Sequence, residues 1–289
     1  MESEILRGKP VADAIVSDIC DRIQKLSHIN IQPCMALIRF GDNSDDVVYE
    51  SSIIKQCDQL NILTTPIHLR SDMDLNEVKS IIDNVNNDST IHGVMVFRPF
   101  PTKQIEKLFF NDLLPAKDLD GITASSIISL YTDREIGFPP CTAESCIALL
   151  DYYGINIEGK RAVVIGRSQV IGKPVSLMLL NRNATVTICH SKTAKLTDVC
   201  READILISAI GKPSFLGKNY VKEDQIVIDV GINSLGNGKI CGDVAFSEVS
   251  PIVTGITPVP GGVGRVTTAI LIKHLIKAVE NMSVANSNE

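Results

Sequence analysis

The stretch that decides the fold is Ala162-Val-Val-Ile-Gly-Arg-Ser-Gln-Val-Ile-Gly-Lys-Pro174. A β-branched apolar run ends at Gly166. A short polar turn then carries Arg167 and Ser168, and Gly172 opens an apolar segment with helical spacing. This order predicts a strand, a glycine turn and a helix. Because such a turn lets backbone N–H groups approach a phosphate, and the helix dipole attracts the anion, the stretch predicts a dinucleotide site.

The glycine pattern departs from Gly-x-Gly-x-x-Gly at Ser168, so an ordinary strand-to-helix turn without a ligand is the alternative interpretation. Residues 184–189 predict a second strand, and His190-Ser-Lys-Thr193 follows it. An NAD site usually carries Asp or Glu about 20 residues after the glycines, to bind the ribose 2′-hydroxyl. The tip of this strand has no acidic residue. Arg167 and Ser191 suit a 2′-phosphate instead, so we expect NADP rather than NAD.

The composition narrows the class of protein. The 289 residues suffice for two α/β domains. The net charge is −6 and no long basic run occurs, so we expect a small-molecule ligand, with neither nucleic acid nor a membrane as partner. The eight cysteines form no Cys-x-x-Cys pair, which argues against a metal site and is typical of reduced intracellular proteins. The acidic N-terminus does not resemble a targeting peptide, and a cytoplasmic location is expected.

Strand and helix patterns alternate along the chain. The predicted elements of the first half are strands at 34–39, 63–69 and 93–97 and helices at 9–27, after residue 44, and at 74–87. On the apolar side of the second helix we expect Val47, Val48, Ile54, Cys57 and Leu60. Such alternation is typical of parallel sheets with right-handed crossovers. The predicted fold class is therefore α/β.

Ligand-binding segments are expected beyond the carboxyl ends of the strands. One of them is Pro115-Ala-Lys-Asp-Leu-Asp-Gly121, which is either a plain Asx turn or a carboxylate presented to a pair of ligand donors. In the second half, strands within 203–213 and 225–233 run into turns. There Gly211 and Ile232 offer backbone atoms to a nicotinamide ring.

Several stretches together resemble one family, the methylenetetrahydrofolate dehydrogenase/cyclohydrolase proteins of the FolD type. The resemblance covers nearly the whole chain. Its most specific parts are Pro115-x-Lys-Asp-Leu-Asp-Gly121, Pro140-Cys-Thr142, Gly166-Arg-Ser168 with Gly172-Lys-Pro174, Ala184-Thr-Val-Thr-x-x-His-Ser-Lys-Thr193, Val230-Gly-Ile-Asn233 and Thr257-Pro-Val-Pro-Gly-Gly-Val-Gly264.

The resemblance implies a homodimer of two-domain subunits, each with an N-terminal parallel α/β domain, a central Rossmann-like domain and a cleft between them. Residues 1–139, completed by the C-terminal helix at 265–289, form the folate-binding catalytic domain, and residues 140–264 form the NADP-binding domain. The family oxidises 5,10-methylenetetrahydrofolate by hydride transfer to NADP. Most members then hydrolyse the methenyl product to 10-formyltetrahydrofolate in the same site.

The resemblance also implies roles for individual residues. Tyr49 orients the folate, and Asp120 pairs with the pterin ring, whose adjacent donors suit a carboxylate. The expected cofactor-binding residues are Gly166, Arg167, Ser168, Gly172, His190, Ser191, Gly211 and Ile232. The expected substrate-binding residues, besides Tyr49 and Asp120, are Pro260, Gly261, Gly262 and Thr267.

The chain departs from the family pattern at the positions of the cyclohydrolase lysine and its glutamine partner. These are Ile53 and Phe97, and Lys55 is no substitute because two residues along a helix rotate by about 200°. Hydride transfer depends mainly on positioning, whereas methenyl hydrolysis needs proton transfer. We therefore predict an NADP-dependent dehydrogenase with weak or lost cyclohydrolase activity.

Three other interpretations stay open at this stage. The chain is fully bifunctional, or it binds folate and NADP without turnover, or it is a dehydrogenase of the shikimate type with a non-folate substrate. The charged newcomers Asp46, Glu50 and Arg98 stand where the resembled pattern has serine, valine and leucine, and they favour the second of these interpretations. Asp120 with Tyr49 speaks against the third. Arg265 also departs from the family pattern.

Overall fold

The structure is a computed structural model that describes residues 3–132, 134, 136–236 and 238–286. It divides into two compact units. The central unit contains Met1–Ala14 and Pro140–Thr267, and the N-terminal unit contains Ile15–Pro139 and Thr268–Glu289. The sequence boundaries placed residues 1–14 in the N-terminal domain, and the structure groups them with the central unit. Both units are built on parallel sheets, which confirms the α/β fold class.

The strands are β1 Glu4–Ile5, β2 Cys34–Phe40, β3 Leu63–Leu69, β4 Gly93–Val96, β5 Arg161–Ile165, β6 Thr185–Cys189, β7 Ile205–Ser208, β8 Ile226–Asp229, β9 Asn233–Gly236, β10 Lys239–Cys241 and β11 Gly255–Ile256. The helices are α1 Gly8–His28, α2 Ser44–Gln59, α3 Leu75–Asn87, α4 Lys103–Asp112, α5 Ala124–Thr132, α6 Cys141–Tyr152, α7 Gly172–Asn181, α8 Leu196–Glu202, α9 Phe246–Val249 and α10 Thr267–Asn286. None of the helices in the described residues is long and apolar enough to cross a membrane.

The N-terminal unit has a three-stranded parallel sheet in the order β3-β2-β4. Every residue of β2 is buried, as expected of a central strand covered on both faces. Apolar side chains from α3 and α4, including Val78, Ile82 and Phe109, form one core with the strands. The sheet places the segments after β2 and β4 at one edge, where parallel strands end together.

The second helix buries only part of the face that the sequence pattern predicts. Cys57 is buried as predicted, but Val48 is 70% exposed and Val47 is also exposed, and Glu50 and Ile53 are buried in their place. The buried residues are spaced by three and four, which is one helix face. The hydrophobic pattern was misleading here because that face contains a charged residue, Glu50, paired with an arginine of β2.

The central unit has a six-stranded parallel sheet in the order β1-β11-β8-β7-β5-β6. The first strand explains why the start of the chain belongs to this unit, because Glu4 and Ile5 pair in parallel with Gly255 and Ile256. At the other side of the sheet, β6 pairs only with β5 among the described strands. A separate antiparallel hairpin of β9 and β10 follows β8.

Candidate functional site

The turn after β5 brings a strand and a helix into close contact. Gly166 has a φ of 128°, and a Cβ there would lie 2.4 Å from the Ala209 carbonyl oxygen. A Cβ on Gly172 would lie 2.2 Å from the Gly166 carbonyl oxygen. Ser168, which replaces the second glycine of the usual pattern, accepts a hydrogen bond from the Ile171 N–H at 3.1 Å. The two glycines therefore permit the close approach, and the serine holds the turn in place.

A cavity of about 330 Å³ lies beside this turn. Its lining includes the predicted cofactor residues Gly166, Arg167, Ser168, His190 and Ser191. Parallel pairing of β5 with β6 explains this, since both strands end at the same edge. The structure thus brings together five residues that the sequence predicted from two separate motifs.

The same cavity contains residues that the sequence interpretation missed. Lys212 and Phe215 line it, and the Lys212 ammonium lies 5.4 Å from the centre of the Phe215 ring. They follow β7 in a glycine-proline turn, so a search beyond the end of each predicted strand would have included them. Gly172 is buried behind the turn, and Gly211 is exposed next to Lys212. Neither of these glycines lines the cavity.

A second cavity in the central unit, of about 310 Å³, lies beside the loop before α10. Ile232, predicted to bind cofactor, lines it together with the predicted substrate residues Pro260, Gly261 and Gly262. Arg265 also lines it. Thr267 is absent from the lining, and its hydroxyl donates a hydrogen bond to the Gly264 carbonyl at 3.1 Å.

Beneath the loop with Gly211 lies a buried carboxylate, Asp243. It accepts hydrogen bonds from the N–H groups of Ile210 at 2.8 Å, Gly211 at 3.2 Å and Lys212 at 2.8 Å. Ser208 and Asn233 donate to it as well. Asp243 therefore fixes the loop that follows β7, a role that no sequence motif indicated.

A second buried carboxylate, Asp229, fixes the neighbouring loop. It accepts hydrogen bonds from the N–H groups of Gly231 at 3.0 Å, Asp243 at 3.0 Å and Val244 at 2.9 Å. Burial raises the pKa of Asp229 to about 6 although these hydrogen bonds oppose the shift. The two aspartates thus hold the turns after β7 and β8 in a single network.

In the N-terminal unit, the loop 115–123 presents two carboxylates with different roles. Asp118 accepts hydrogen bonds from Thr123 N–H at 2.8 Å and the Ser126 hydroxyl at 2.7 Å, and burial raises its pKa. Asp118 therefore fixes the loop from within, as the interpretation of a structural turn expects. Asp120 instead forms an ion pair with Arg98, which follows β4. That Asp120 is presented to a pair of ligand donors stays a prediction.

Tyr49 packs against Phe97 beside this ion pair. The two ring centres are 5.9 Å apart and the planes meet at 73°, an edge-to-face arrangement. Ile53, one turn further along α2, is fully buried, and Phe97 is 3% exposed. Lys55 is exposed, as the helical rotation predicts. Phe97 and Arg98 are consecutive, so the aromatic pair and the ion pair form one continuous cluster.

Glu50, next to Tyr49, is the centre of a buried ionic network. Its carboxylate accepts from Arg39 Nε at 3.2 Å and lies 3.0 Å from His68 Nε2. Arg39 also contacts Asp42 at 3.0 Å and the Gly41 carbonyl. Burial opposes the charge on Arg39, but the hydrogen bonds to Asp42 and Glu50 outweigh it and raise its pKa. The network joins α2 to β2 and β3.

Comparison with known proteins places this geometry in a family. Residues 6–120 match the family model described as tetrahydrofolate dehydrogenase/cyclohydrolase, catalytic domain, and residues 140–283 match the NAD(P)-binding domain of the same family. The chain belongs to the tetrahydrofolate dehydrogenase/cyclohydrolase family. The resemblance noted in the sequence is thereby confirmed.

Relatives of the tetrahydrofolate dehydrogenase/cyclohydrolase family are similar along their full length. The bifunctional protein FolD of Carboxydothermus hydrogenoformans is 46% identical, over 96% of this chain and 98% of its own. The crystal structure of the bifunctional enzyme FolD from Campylobacter jejuni has a TM-score of 0.93 at 39% identity, covering 97% of this chain and 99% of its own. The Trypanosoma brucei enzyme, solved with NADP and an inhibitor, has a TM-score of 0.91 at 28% identity, covering 98% and 99%.

At two of the positions where the sequence was interpreted as departing from the resembled pattern, Ile53 and Phe97, the side chains are apolar and buried. Arg98 and Glu50 are additional charges, and each is paired with a residue of opposite charge.

Proposed function

We propose that the chain is an NADP-dependent 5,10-methylenetetrahydrofolate dehydrogenase whose methenyltetrahydrofolate cyclohydrolase step is weak or absent. The observation that carries the proposal is the combination of a retained Asp120 with buried apolar side chains at positions 53 and 97. The family match and the FolD relatives support the dehydrogenase half. The burial of Ile53 and Phe97 supports the loss of the hydrolytic half.

The central unit offers a fitting site for NADP. A Cβ at Gly166 or Gly172 would collide with a backbone oxygen, so glycine at both positions allows the backbone segments of this turn to pack closely. The turn leads into the N-terminus of a helix, which is where a pyrophosphate binds in such sites. Arg167, His190 and Ser191 provide donors for a 2′-phosphate at the cavity edge, and none of the described residues that line this cavity is a carboxylate. When bound, NADP accepts the hydride.

The N-terminal unit supplies the proposed folate contacts. Asp120 accepts hydrogen bonds from the pterin ring, whose 2-amino and N3 groups are adjacent donors. Tyr49 is held by Phe97 with its ring half-exposed, and it orients the substrate. In this proposal the residues position the carbon that loses the hydride, and positioning supplies most of the rate enhancement that the protein gives. In this proposal the folate contacts Tyr49 and Asp120 lie in the N-terminal unit, and the NADP contacts lie in the central unit.

The hydrolytic step requires a group that moves a proton to or from water. Ile53 and Phe97 have no titratable atom, and both are out of contact with solvent. Lys55 lies on the opposite side of α2 from Ile53, so it does not reach the same place. We therefore expect methenyltetrahydrofolate to leave the enzyme and to hydrolyse at its spontaneous rate.

The test follows two absorbances together, one for NADPH and one for methenyltetrahydrofolate, during incubation with methylenetetrahydrofolate and NADP. We expect both signals to rise in step and the methenyl signal to persist. NADPH formation without methenyl accumulation would show a working cyclohydrolase and refute the proposed loss. Measurable binding of both ligands without NADPH would refute the dehydrogenase and identify a non-catalytic binding protein.

Two variants sharpen this test. Ile53→Lys with Phe97→Gln restores the family's polar pair, and we expect it to accelerate methenyl disappearance above the spontaneous rate. Lys55→Met is the matched control, because it removes the neighbouring exposed lysine and is expected to leave both reactions unchanged. A large loss of methenyl hydrolysis in Lys55→Met would show that Lys55 is the replacement group.

We also propose that the protein is a homodimer, as in the family that it resembles. The edge strand β6 supports this, because its outer backbone groups have no strand partner in the described part of the chain. Ile188 on this strand and Leu180 on α7 are exposed apolar side chains. Sedimentation equilibrium should give twice the chain mass. A monomer at micromolar concentration would refute the dimer.

A further inference from the structure

We propose that Arg98 is a specificity-determining residue that recognises the 4-oxo group of the pterin ring while Asp120 recognises the neighbouring donors. This inference rests on the proposed function, because it concerns the orientation of the folate substrate. It adds a residue for which the family pattern, with leucine at this position, has no polar equivalent.

The geometry of the ion pair leaves Arg98 able to contact a ligand. Its Nη2 donates to Asp120 Oδ2. The Arg98 side chain is 25% exposed and the Asp120 side chain 11% exposed, so the ion pair is partly accessible from solvent. A guanidinium has five N–H donors. In the described part of the chain, Asp120 is the one side-chain partner that the structure gives to Arg98, so further donors are available.

The pair presents an acceptor and a donor next to each other. A 2-amino-4-oxopyrimidine edge has the complementary order: two N–H donors at the 2-amino and N3 positions, followed by the 4-oxo acceptor. A carboxylate accepts the first two, and an adjacent guanidinium donates to the third. A leucine at position 98 has no such donor. The Arg98–Asp120 pair is therefore chemically matched to the whole edge of the pterin ring.

This arrangement predicts discrimination at two neighbouring positions of the ligand. A 4-amino pteridine has a donor where the natural ring has the 4-oxo acceptor, so its N–H groups would face those of Arg98, and its N3 lacks the hydrogen that Asp120 accepts. The part of the preference that is due to Arg98 is the part that changes when Arg98 is substituted. Sites that hydrogen-bond a substrate group reject analogues that leave the partner unpaired. The natural 4-oxo ring should bind more tightly than its 4-amino analogue for this reason.

The opposite role for Arg98 is that it competes with the pterin for Asp120. In that case the ion pair would have to open before folate binds, and removal of Arg98 would increase affinity. The two roles predict changes of opposite sign, so a single set of variants distinguishes them.

The experiment measures the dissociation constants of folic acid and 4-aminofolic acid by calorimetry, for the full chain and for Arg98→Leu and Arg98→Lys. We expect Arg98→Leu to raise the dissociation constant of folic acid by about 10-fold to 100-fold, as for loss of a charge-assisted hydrogen bond. The dissociation constant of 4-aminofolic acid should stay unchanged or fall. Arg98→Lys keeps a donor but lacks the planar guanidinium, so its affinity for folic acid should lie between those of Arg98→Leu and the unsubstituted chain. In turnover, KM should rise with kcat nearly unchanged.

Arg70→Leu is the matched control, because Arg70 forms an exposed ion pair with Asp72 in the same unit. It should bind both pteridines as the unchanged chain does. Tighter folic acid binding by Arg98→Leu, or an equal loss for both pteridines, would overturn the inference, and so would a chain that binds neither. If folic acid binds with the expected preference but no NADPH forms, the proposed function fails while the inference stands.

Discussion

Substitution of Glu50 by valine should destabilise the protein although it introduces the residue of the family pattern. Glu50 is buried on α2 and pairs with Arg39 of β2. Valine packs well in apolar surroundings, so pattern-based reasoning would expect a stabilising change. The structure predicts the opposite, because valine leaves the Arg39 guanidinium buried without the buried carboxylate of Glu50.

The magnitude follows from the burial of both charges. The Arg39 side chain is 5% exposed and the Glu50 side chain 6% exposed. Removal of one partner from a buried pair typically costs about 3–5 kcal/mol. Arg39 retains Asp42, whose side chain is 92% exposed, and such a contact is worth about 1 kcal/mol at most. We therefore expect a loss of about 2–4 kcal/mol in the free energy of unfolding, or roughly 5–15 °C in Tm.

The assay is chemical denaturation of Glu50→Val, Arg39→Leu and the double variant, compared in a double-mutant cycle. The double variant removes both charges, so it should unfold within about 1 kcal/mol of the unchanged chain or be more stable. The cycle should give a favourable coupling of about 2 kcal/mol or more between the two residues. A Glu50→Val variant as stable as the unchanged chain would refute the claim that Glu50 compensates a buried charge.

Two further predictions use the pKa shifts. Because burial raises the pKa of Asp229 to about 6, against about 3.9 in an unfolded chain, its contribution to stability is full below pH 4 and is lost as pH rises through 6. Relative to Asp229→Asn, the unchanged chain should therefore lose up to about 3 kcal/mol in unfolding free energy between pH 4 and pH 7, measured by urea denaturation; a difference independent of pH would contradict this. Burial also raises the pKa of Cys57 and Cys146 to about 12, whereas Cys20 is exposed. A maleimide at pH 8 should modify Cys20 and spare the other two in the folded protein, as peptide mass spectrometry would show, and rapid labelling of Cys57 would contradict its burial.

The sequence predicted the strands and helices well because hydrophobic spacing records which residues face the core. All of β2 is buried, and Val78, Ile82 and Val85, which recur at helical spacing, are the buried residues of α3. The pattern was wrong in part for α2, where Cys57 is inside as predicted but charged Glu50 is also inside and Val48 is outside. A buried charge is invisible to hydrophobic spacing, because its partner, Arg39, is on another element.

The candidate site could be predicted in part. Glycines and polar residues at strand ends identified the cavity around Gly166 and Ser191, since parallel topology brings strand ends together. Asp243 was missed because it accepts hydrogen bonds from the backbone N–H groups of residues 210–212, which are distant in sequence. No local sequence motif indicates such a contact. The partner of Asp120 was also missed, because a contact between Arg98 and the loop after it depends on tertiary structure.

Two of the charged departures from the family pattern each lie beside an opposite charge, Glu50 beside Arg39 and Arg98 beside Asp120. The apolar newcomers Ile53 and Phe97 are both buried, so no polar partner is left unpaired by the loss of the other. Restoring valine at position 50 alone would leave the buried Arg39 with the exposed carboxylate of Asp42 in place of a buried one. The function of this chain is better inferred from each coupled group than from the count of family residues that it retains.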